Sequence, residues 1–149
     1  MAKLNIVVGS MLGAAEYVAD HVANLLEQAG HQPRIHNPAT LTEVLAEPGS
    51  ILLVITSTHG AGDVPDNLQP FTKDLAKLHP DLNSLKYGVI ALGDSSYDTF
   101  CQAGQTLDRL LSDCGASRIG ERLEIDVTQH EIPEDAAEEW IRRWIMMIA

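Results

Sequence analysis

Ile51-Leu52-Leu53-Val54-Ile55 runs without a break into Thr56-Ser57-Thr58-His59-Gly60-Ala61-Gly62-Asp63. A continuous apolar run rich in β-branched residues matches a strand buried on both faces, as the strands of parallel sheets are. Small hydroxyl residues and glycines at the carboxyl end of such a strand mark where open α/β sheets bind ligands. Two further apolar runs end alike. Ile6-Val7-Val8 leads into Gly9-Ser10, and Val89-Ile90-Ala91-Leu92 leads into Gly93-Asp94-Ser95-Ser96-Tyr97. Three loops of one character, at three strand ends, point to one ligand site.

Outward from these strands the spacing turns helical. Ala15, Val18, Ala19, Val22, Leu26 and Ala29 stripe a helix predicted from about Gly13 to Ala29, with Gly30 placed to stop it. Gln32 to His36 reads as a short polar strand at an edge, and Leu41 to Ala46 as a helical turn. Leu68 to Leu78 forms a short helix with Phe71, Leu75 and Leu78 on one face, followed by a strand from Tyr87 to Leu92. Leu107, Leu110, Leu111 and Cys114 stripe the next helix, which Gly115 ends. Arg118 to Val127, with alternating Leu123, Ile125 and Val127, is the last strand. A helix from Pro133 packs Trp140, Ile141, Trp144, Ile145 and Ile148, while Tyr17 and Tyr87, outside the loops, are expected in the core. Alternating strand and helix give an α/β fold, a three-layer α/β/α sandwich on a five-stranded parallel sheet. The length of 149 residues suits a single domain over residues 1–149.

Apolar residues make up 45% of the chain and charged residues 21%, as in an ordinary globular protein. No apolar run approaches the roughly 20 residues that span a bilayer. Met1 to Asn5 lead straight into a strand without a signal-peptide layout, so a cytoplasmic setting is expected. Cys101 and Cys114 have no metal or redox spacing and fit reduced packing thiols. Ten Lys and Arg stand against 21 Asp and Glu, a net charge of −11. Such a surface repels nucleic acid and anionic membranes and attracts a partner with a basic patch, although acidity also serves solubility alone.

The first loop reads Gly9-Ser10-Met11-Leu12-Gly13-Ala14-Ala15-Glu16. Unpaired amides in the next helix's first turn, with the helix dipole, favour an anion, most commonly phosphate. Ser10 adds a hydroxyl, although a plain strand-to-helix turn capped by Ser10 carries the same residues. A Walker A loop is excluded because no lysine is present, and a dinucleotide fingerprint because only Gly9 and Gly13 stand in register. In the second loop, Thr58 to Asn67, Gly60 and Gly62 let the backbone approach a flat ligand, unless the segment is simply a glycine-rich turn ended by Pro65. His59 can cover a ring, titrate near neutrality, or lie in solvent. In the third loop Tyr97 can stack on a planar ligand, and Phe100 anchors the following helix. A phosphate cradle beside two ring-clasping loops describes a mononucleotide-like ligand along the sheet edge.

These motifs resemble a flavodoxin-like domain over nearly the whole chain. Ser10 to Ala15 match its phosphate loop, Ser57 to Asp63 its second loop, and Leu92 to Cys101 its third. The last two are similar to the flavin domains of sulfite reductase and cytochrome P-450 reductase. With the Thr58-His59-Gly60 step and the Ile132-Pro133-Glu134 helix entry, the chain is most similar to the short stand-alone bacterial flavodoxins of the MioC and YqcA group. The resemblance implies strand order 2-1-3-4-5 with flavin mononucleotide (FMN) at the switch point. It implies cofactor contacts from Ser10, Met11, Leu12, Gly13, Ala14 and Ala15 in the first loop. Thr58, His59, Gly60, Ala61, Gly62 and Asp63 follow in the second, and Leu92, Gly93, Asp94, Tyr97, Phe100 and Cys101 in the third, with Asp126 nearby. Tyr97 is then the stacking residue, His59 stands where relatives place a second aromatic, and Gly60 is the backbone position that answers to reduction.

The resemblance further implies a one-electron carrier, a flavoprotein of electron transport, rather than a substrate-converting enzyme. No catalytic residue and no metal ligand is assigned. Asp63, Asp66, Asp94 and Asp98 flank the ring loops, where they disfavour added negative charge and dock a basic-faced flavoprotein reductase and then an acceptor enzyme, with a monomer expected. Leu12 and Ala14 stand where relatives carry threonines, so FMN affinity is expected below the family's usual level. A stand-alone flavin-dependent reductase and a flavodoxin-like binding module with weak or lost FMN remain as alternatives.

Overall fold

The computed structural model describes residues 2–10, 13–58, 62–130 and 132–148. Its elements follow the alternation of the sequence: β1 (Lys3–Gly9), α1 (Ala14–Gln28), β2 (Gln32–His36), α2 (Leu41–Val44), β3 (Ile51–Thr56), α3 (Gln69–Leu78), β4 (Lys86–Gly93), α4 (Gln102–Asp113), β5 (Ser117–Arg118), β6 (Leu123–Asp126) and α5 (Pro133–Ile148). Every pairing is parallel, and the path runs β2-β1-β3-β4-β5, with β6 also pairing with β4. The sheet order 2-1-3-4-5 is therefore present, and its direction reverses between β1 and β3.

β3 is buried along its whole length, which is why its side chains do not alternate in polarity. Leu53 and Ile55 enter one apolar layer with Val18, Val22 and Trp144, whereas Leu52 and Val54 enter the other with Phe71, Leu75 and Leu107. The two layers hold α1 and α5 on one face and α3 and α4 on the other.

The predicted last strand, Arg118 to Val127, is divided. Ile119 and Glu121 turn their carbonyls to the Nε1–H groups of Trp144 (2.9 Å) and Trp140 (3.0 Å) instead of to a neighbouring strand. On either side of the break, Arg118 and Arg122 reach the same carboxylate oxygen of Asp108 in α4, while the other Asp108 oxygen accepts the Tyr87 hydroxyl. Burial works against the charge on Asp108, but hydrogen bonds from Tyr87, Arg122 and Arg118 outweigh it and lower its pKa. The strand thus gives up pairing in mid-course to complete an ion cluster and two tryptophan caps.

Four expected core residues lie outside the core, Ala29 among them, exposed just past the end of α1. Tyr17 falls between the stripe positions of α1 and is 67% exposed. Leu78 ends α3 immediately before the left-handed His79, and Val127 lies one residue past the end of β6; both are exposed. Tyr87 is buried as expected.

Candidate functional site

The carboxyl ends of β1, β3 and β4 carry the three loops. In the first, Gly13 stands at φ +88°, a left-handed conformation that glycine adopts without a side-chain penalty, and heads α1. Its N–H donates to Ser10 Oγ at 2.9 Å, and the first intrahelical bond runs from Tyr17 N–H to Gly13 O. The amides of Ala14 and Ala15 thus sit in the helix's first turn, where no intrahelical acceptor exists. The Ser10 N–H donates to Asn67 Oδ1 at 3.0 Å. Two amides expected to face a phosphate, those of Ser10 and Gly13, are therefore engaged within the protein, while the Ser10 hydroxyl proton keeps its freedom to donate. The exposed Tyr17 ring lies alongside, its Cε2 3.6 Å from where a side chain on Gly13 would begin.

In the second loop, Thr58 Oγ1 accepts from Ala103 N–H at 3.3 Å, and Gly62 lies buried against the Gln102 side chain. Both contacts fasten the loop to the start of α4. Asp63 is exposed. Met11, Leu12, His59, Gly60 and Ala61, five of the expected cofactor contacts, lie outside the described residues.

The third loop winds through successive turns, Tyr97 N–H to Asp94 O, Phe100 N–H to Tyr97 O and Gln102 N–H to Thr99 O. Asp94 Oδ1 accepts the Ser96 amide at 2.8 Å. Cys101 then enters α4 at φ 54°, buried, with its Sγ–H directed at Ala91 O. Gly93 makes this close return possible, because a Cβ there would stand 2.7 Å from the Cys101 nitrogen. Burial, then the nearby Glu124, pushes the Cys101 thiol up to about 12, so it stays protonated and packs. Leu92 is also fully buried and offers a ligand only its backbone. Phe100 is half-buried between the two roles expected of it.

Asp126 closes the third loop from the end of β6. Its Oδ1 accepts from Ser95 N–H (3.3 Å), Thr128 N–H (3.0 Å) and Thr128 Oγ1 (2.7 Å). Hydrogen bonds from Ser95, then from Thr128, hold its carboxyl at about 2.

Between the second and third loops opens a cavity of about 310 Å³ lined by Thr58, Asp94, Tyr97 and Thr99. Tyr97 is 65% exposed there, an aromatic face left to solvent beside the carboxyl ends of β3 and β4. Donor and acceptor chemistry fits a flat heterocycle with an anionic tail: a hydroxyl and helix-start amides at one end, a carboxylate, two threonine hydroxyls and an open ring at the other. A second hollow of about 220 Å³, lined by Val44, Leu45, Leu82 and Leu85 among others, lies away from these loops.

Motif reading missed Asn67 and Tyr17. Nothing about a single asparagine after Pro65 announces that it reaches the first loop, whereas the exposure of Tyr17 is signalled by its place off the apolar stripe of α1.

Comparison with known proteins agrees with this fold. The sequence profile of the family Flavodoxin matches residues 6–140. The chain is 48% identical over 149 residues to Protein MioC of Escherichia coli K12, covering 99% of each. It is 38% identical over 148 residues to Flavodoxin YqcA of Pectobacterium carotovorum, covering 99% of this chain and 98% of that one. Among solved structures, a mutant flavodoxin from Pseudomonas aeruginosa superposes with a TM-score of 0.90 at 37% identity, covering 99% of both chains. A flavodoxin of Streptococcus pneumoniae TIGR4 superposes with a TM-score of 0.76 at 33% identity, covering 95% of this chain and 99% of that one.

Proposed function

The chain belongs to the flavodoxin family, and from that premise we propose that it carries single electrons from a basic-faced flavoprotein reductase to an acceptor enzyme. Family membership implies FMN as the cofactor and electron transfer as the role. When bound, FMN supplies the redox chemistry, and the protein supplies binding, orientation and electrostatics. The observation that carries the reading is the convergence of three loops on one rim with Tyr97 exposed beside an open cavity.

In this reading Ser10, Met11, Leu12, Gly13 and the helix-start amides of Ala14 and Ala15 hold the phosphate. Thr58 to Asp63, His59 and Gly60 included, clasp the ring from one side, and Tyr97 stacks on it. Gly93 and Asp94 take the pyrimidine edge, with Leu92 through its backbone and Phe100, Cys101 and Asp126 supporting the loop. Asp63, Asp66 and Asp98 stand exposed around this rim and Asp94 partly so. They raise the cost of adding negative charge, and they suit a cationic partner. Because Leu12 and Ala14 bring no hydroxyl, the phosphate is held less tightly than in a threonine-rich loop. The same reading has residues 1–149 work as one domain and as a monomer in the cytoplasm, with Cys101 and Cys114 as free thiols. Among the described residues no helix is long and apolar enough to cross a membrane.

The test combines spectroscopy with kinetics. Protein incubated with FMN and desalted retains a flavin absorbance band, and an anaerobic potentiometric titration resolves two one-electron steps with the second at lower potential. Transfer from a basic-faced reductase slows severalfold as ionic strength rises about tenfold, because screening shortens the reach of the acidic rim. Colourless desalted protein refutes the carrier reading. Turnover of a nicotinamide cofactor without added reductase favours the stand-alone reductase instead.

A further inference from the structure

The first loop is fastened by the last residue of the second, Asn67, which lies beyond the Ser57–Asp63 motif. Asn67 lies in the 3₁₀ turn Asp66–Leu68 and bonds in three directions. Its Oδ1 accepts the Ser10 N–H at 3.0 Å, and its Nδ2 donates to Val8 O at 3.1 Å and to Asn37 Oδ1 at 3.0 Å. Asn37 in turn donates to Glu16 Oε1 at 3.3 Å. The chain Ser10, Asn67, Asn37, Glu16 therefore rings the phosphate loop, starting at its first residue and ending in the first turn of α1.

We propose that Asn67 is a positioning residue that fixes the phosphate loop against the ring loop, setting affinity for the phosphate end of the flavin without touching the ligand. This deepens the FMN reading and rests on it. The physical basis is the division of labour at Ser10. With its amide held by Asn67 and its Oγ held by Gly13 N–H, the serine is locked at both ends. Its remaining hydroxyl proton then has one preferred direction, which is the preorganisation that anion binding rewards. Glu16, the one acid in the first turn of α1, would repel a phosphate there. Its bond to Asn37 restrains that carboxylate, and Asn67 holds Asn37. Losing Asn67 releases both restraints together.

The experiment compares FMN with riboflavin, which lacks the phosphate, by fluorescence titration of the full-length protein. In Asn67→Ala, FMN affinity falls about tenfold, as expected for one to two lost hydrogen bonds, while riboflavin affinity stays within about twofold. The ³¹P resonance of bound FMN shifts as well, which a change in fold stability alone does not produce. Asn37→Ala, at an exposed residue, supplies the second variant if Asn67→Ala fails to fold: FMN affinity falls about two- to threefold with riboflavin unchanged. Equal losses for both ligands, or no loss for FMN, overturn the proposal while leaving the FMN reading intact. Wild-type protein that binds neither ligand overturns that reading, and the role of Asn67 with it.

Discussion

Two aspartates beside β4 show how alike a structural acid and a site-building acid can look, and what separates them. Asp108 and Asp126 both have lowered pKa values, and both hold the strand region that follows β4. Asp108 is buried and meets two guanidinium groups and a phenol, so charge answers charge and nothing is left to offer a ligand. Asp126 meets neutral donors at a solvent-facing rim, and the groups it gathers belong to a loop whose next residues line a cavity. A shifted pKa marks either kind of site. The partners and the exposure decide which.

The contrast breaks most visibly at Asp108. Asp108→Ala removes the carboxylate that Arg118, Arg122 and Tyr87 share, leaving the buried hydroxyl only the main-chain carbonyl of residue 108. Removing one partner from such a cluster costs about 3–5 kcal/mol. Urea denaturation is expected to show that loss, while FMN affinity of the folded protein stays within about twofold. A stability change below about 1 kcal/mol would mean the cluster is ornamental. Acid acts in the same direction. The folded pKa of Asp108 is lowered, so its contribution is complete above the ordinary carboxylate range and drains away as pH falls below it.

At the open end, Tyr97→Ala should do the reverse. Its ring is 65% exposed, so stability changes by less than about 0.5 kcal/mol. Loss of an aromatic stack with its contact area weakens FMN about tenfold or more, and riboflavin equally, because the ring and not the phosphate is concerned. Unchanged affinity by fluorescence titration would remove Tyr97 from the site.

The difference between these two ends is also the difference in what the sequence reveals. β3 declares itself because a strand buried on both faces must be apolar at every position, and the layers follow from it. The loops declare themselves by glycine and hydroxyl content, since a backbone that must meet a ligand needs both. The break in the last strand does not, because Leu123, Ile125 and Val127 alternate as an intact strand would. What interrupts it are tryptophans more than fifteen residues away and an acid on a different helix. Asn67 is hidden for the same reason: its bonds to Val8 and Ser10 span 59 and 57 residues. Local pattern records what one segment needs for itself, not which distant polar group completes it.

Asp126→Ala sharpens the comparison at smaller amplitude. Ser95 N–H and Thr128 lose their acceptor, so the third loop loosens, and FMN weakens about threefold with little change in global stability. Amide exchange at Ser95 and Thr128 accelerates in the variant. In the wild type that protection is complete above pH ~4, the unfolded carboxyl value, and is lost as pH falls through about 2. Exchange that is the same in the variant and the wild type would show that Asp126 does not organise the loop.

The smallest expected effect belongs to Cys101, which sits between the two acids. Arg122 of the closed cluster lowers its pKa, Glu124 and Asp126 raise it, and burial dominates, leaving the thiol at about 12. Nucleophilic attack requires the thiolate. At pH 8 a thiol of that pKa is ionised to roughly one part in ten thousand, against about a quarter for a free cysteine. Native protein treated with iodoacetamide at pH 8 is therefore expected to show no alkylation at Cys101 by mass spectrometry within an hour. Urea restores the reaction. Rapid labelling of the folded protein would place Cys101 at the open rim with Tyr97 instead of in the packed base beneath it.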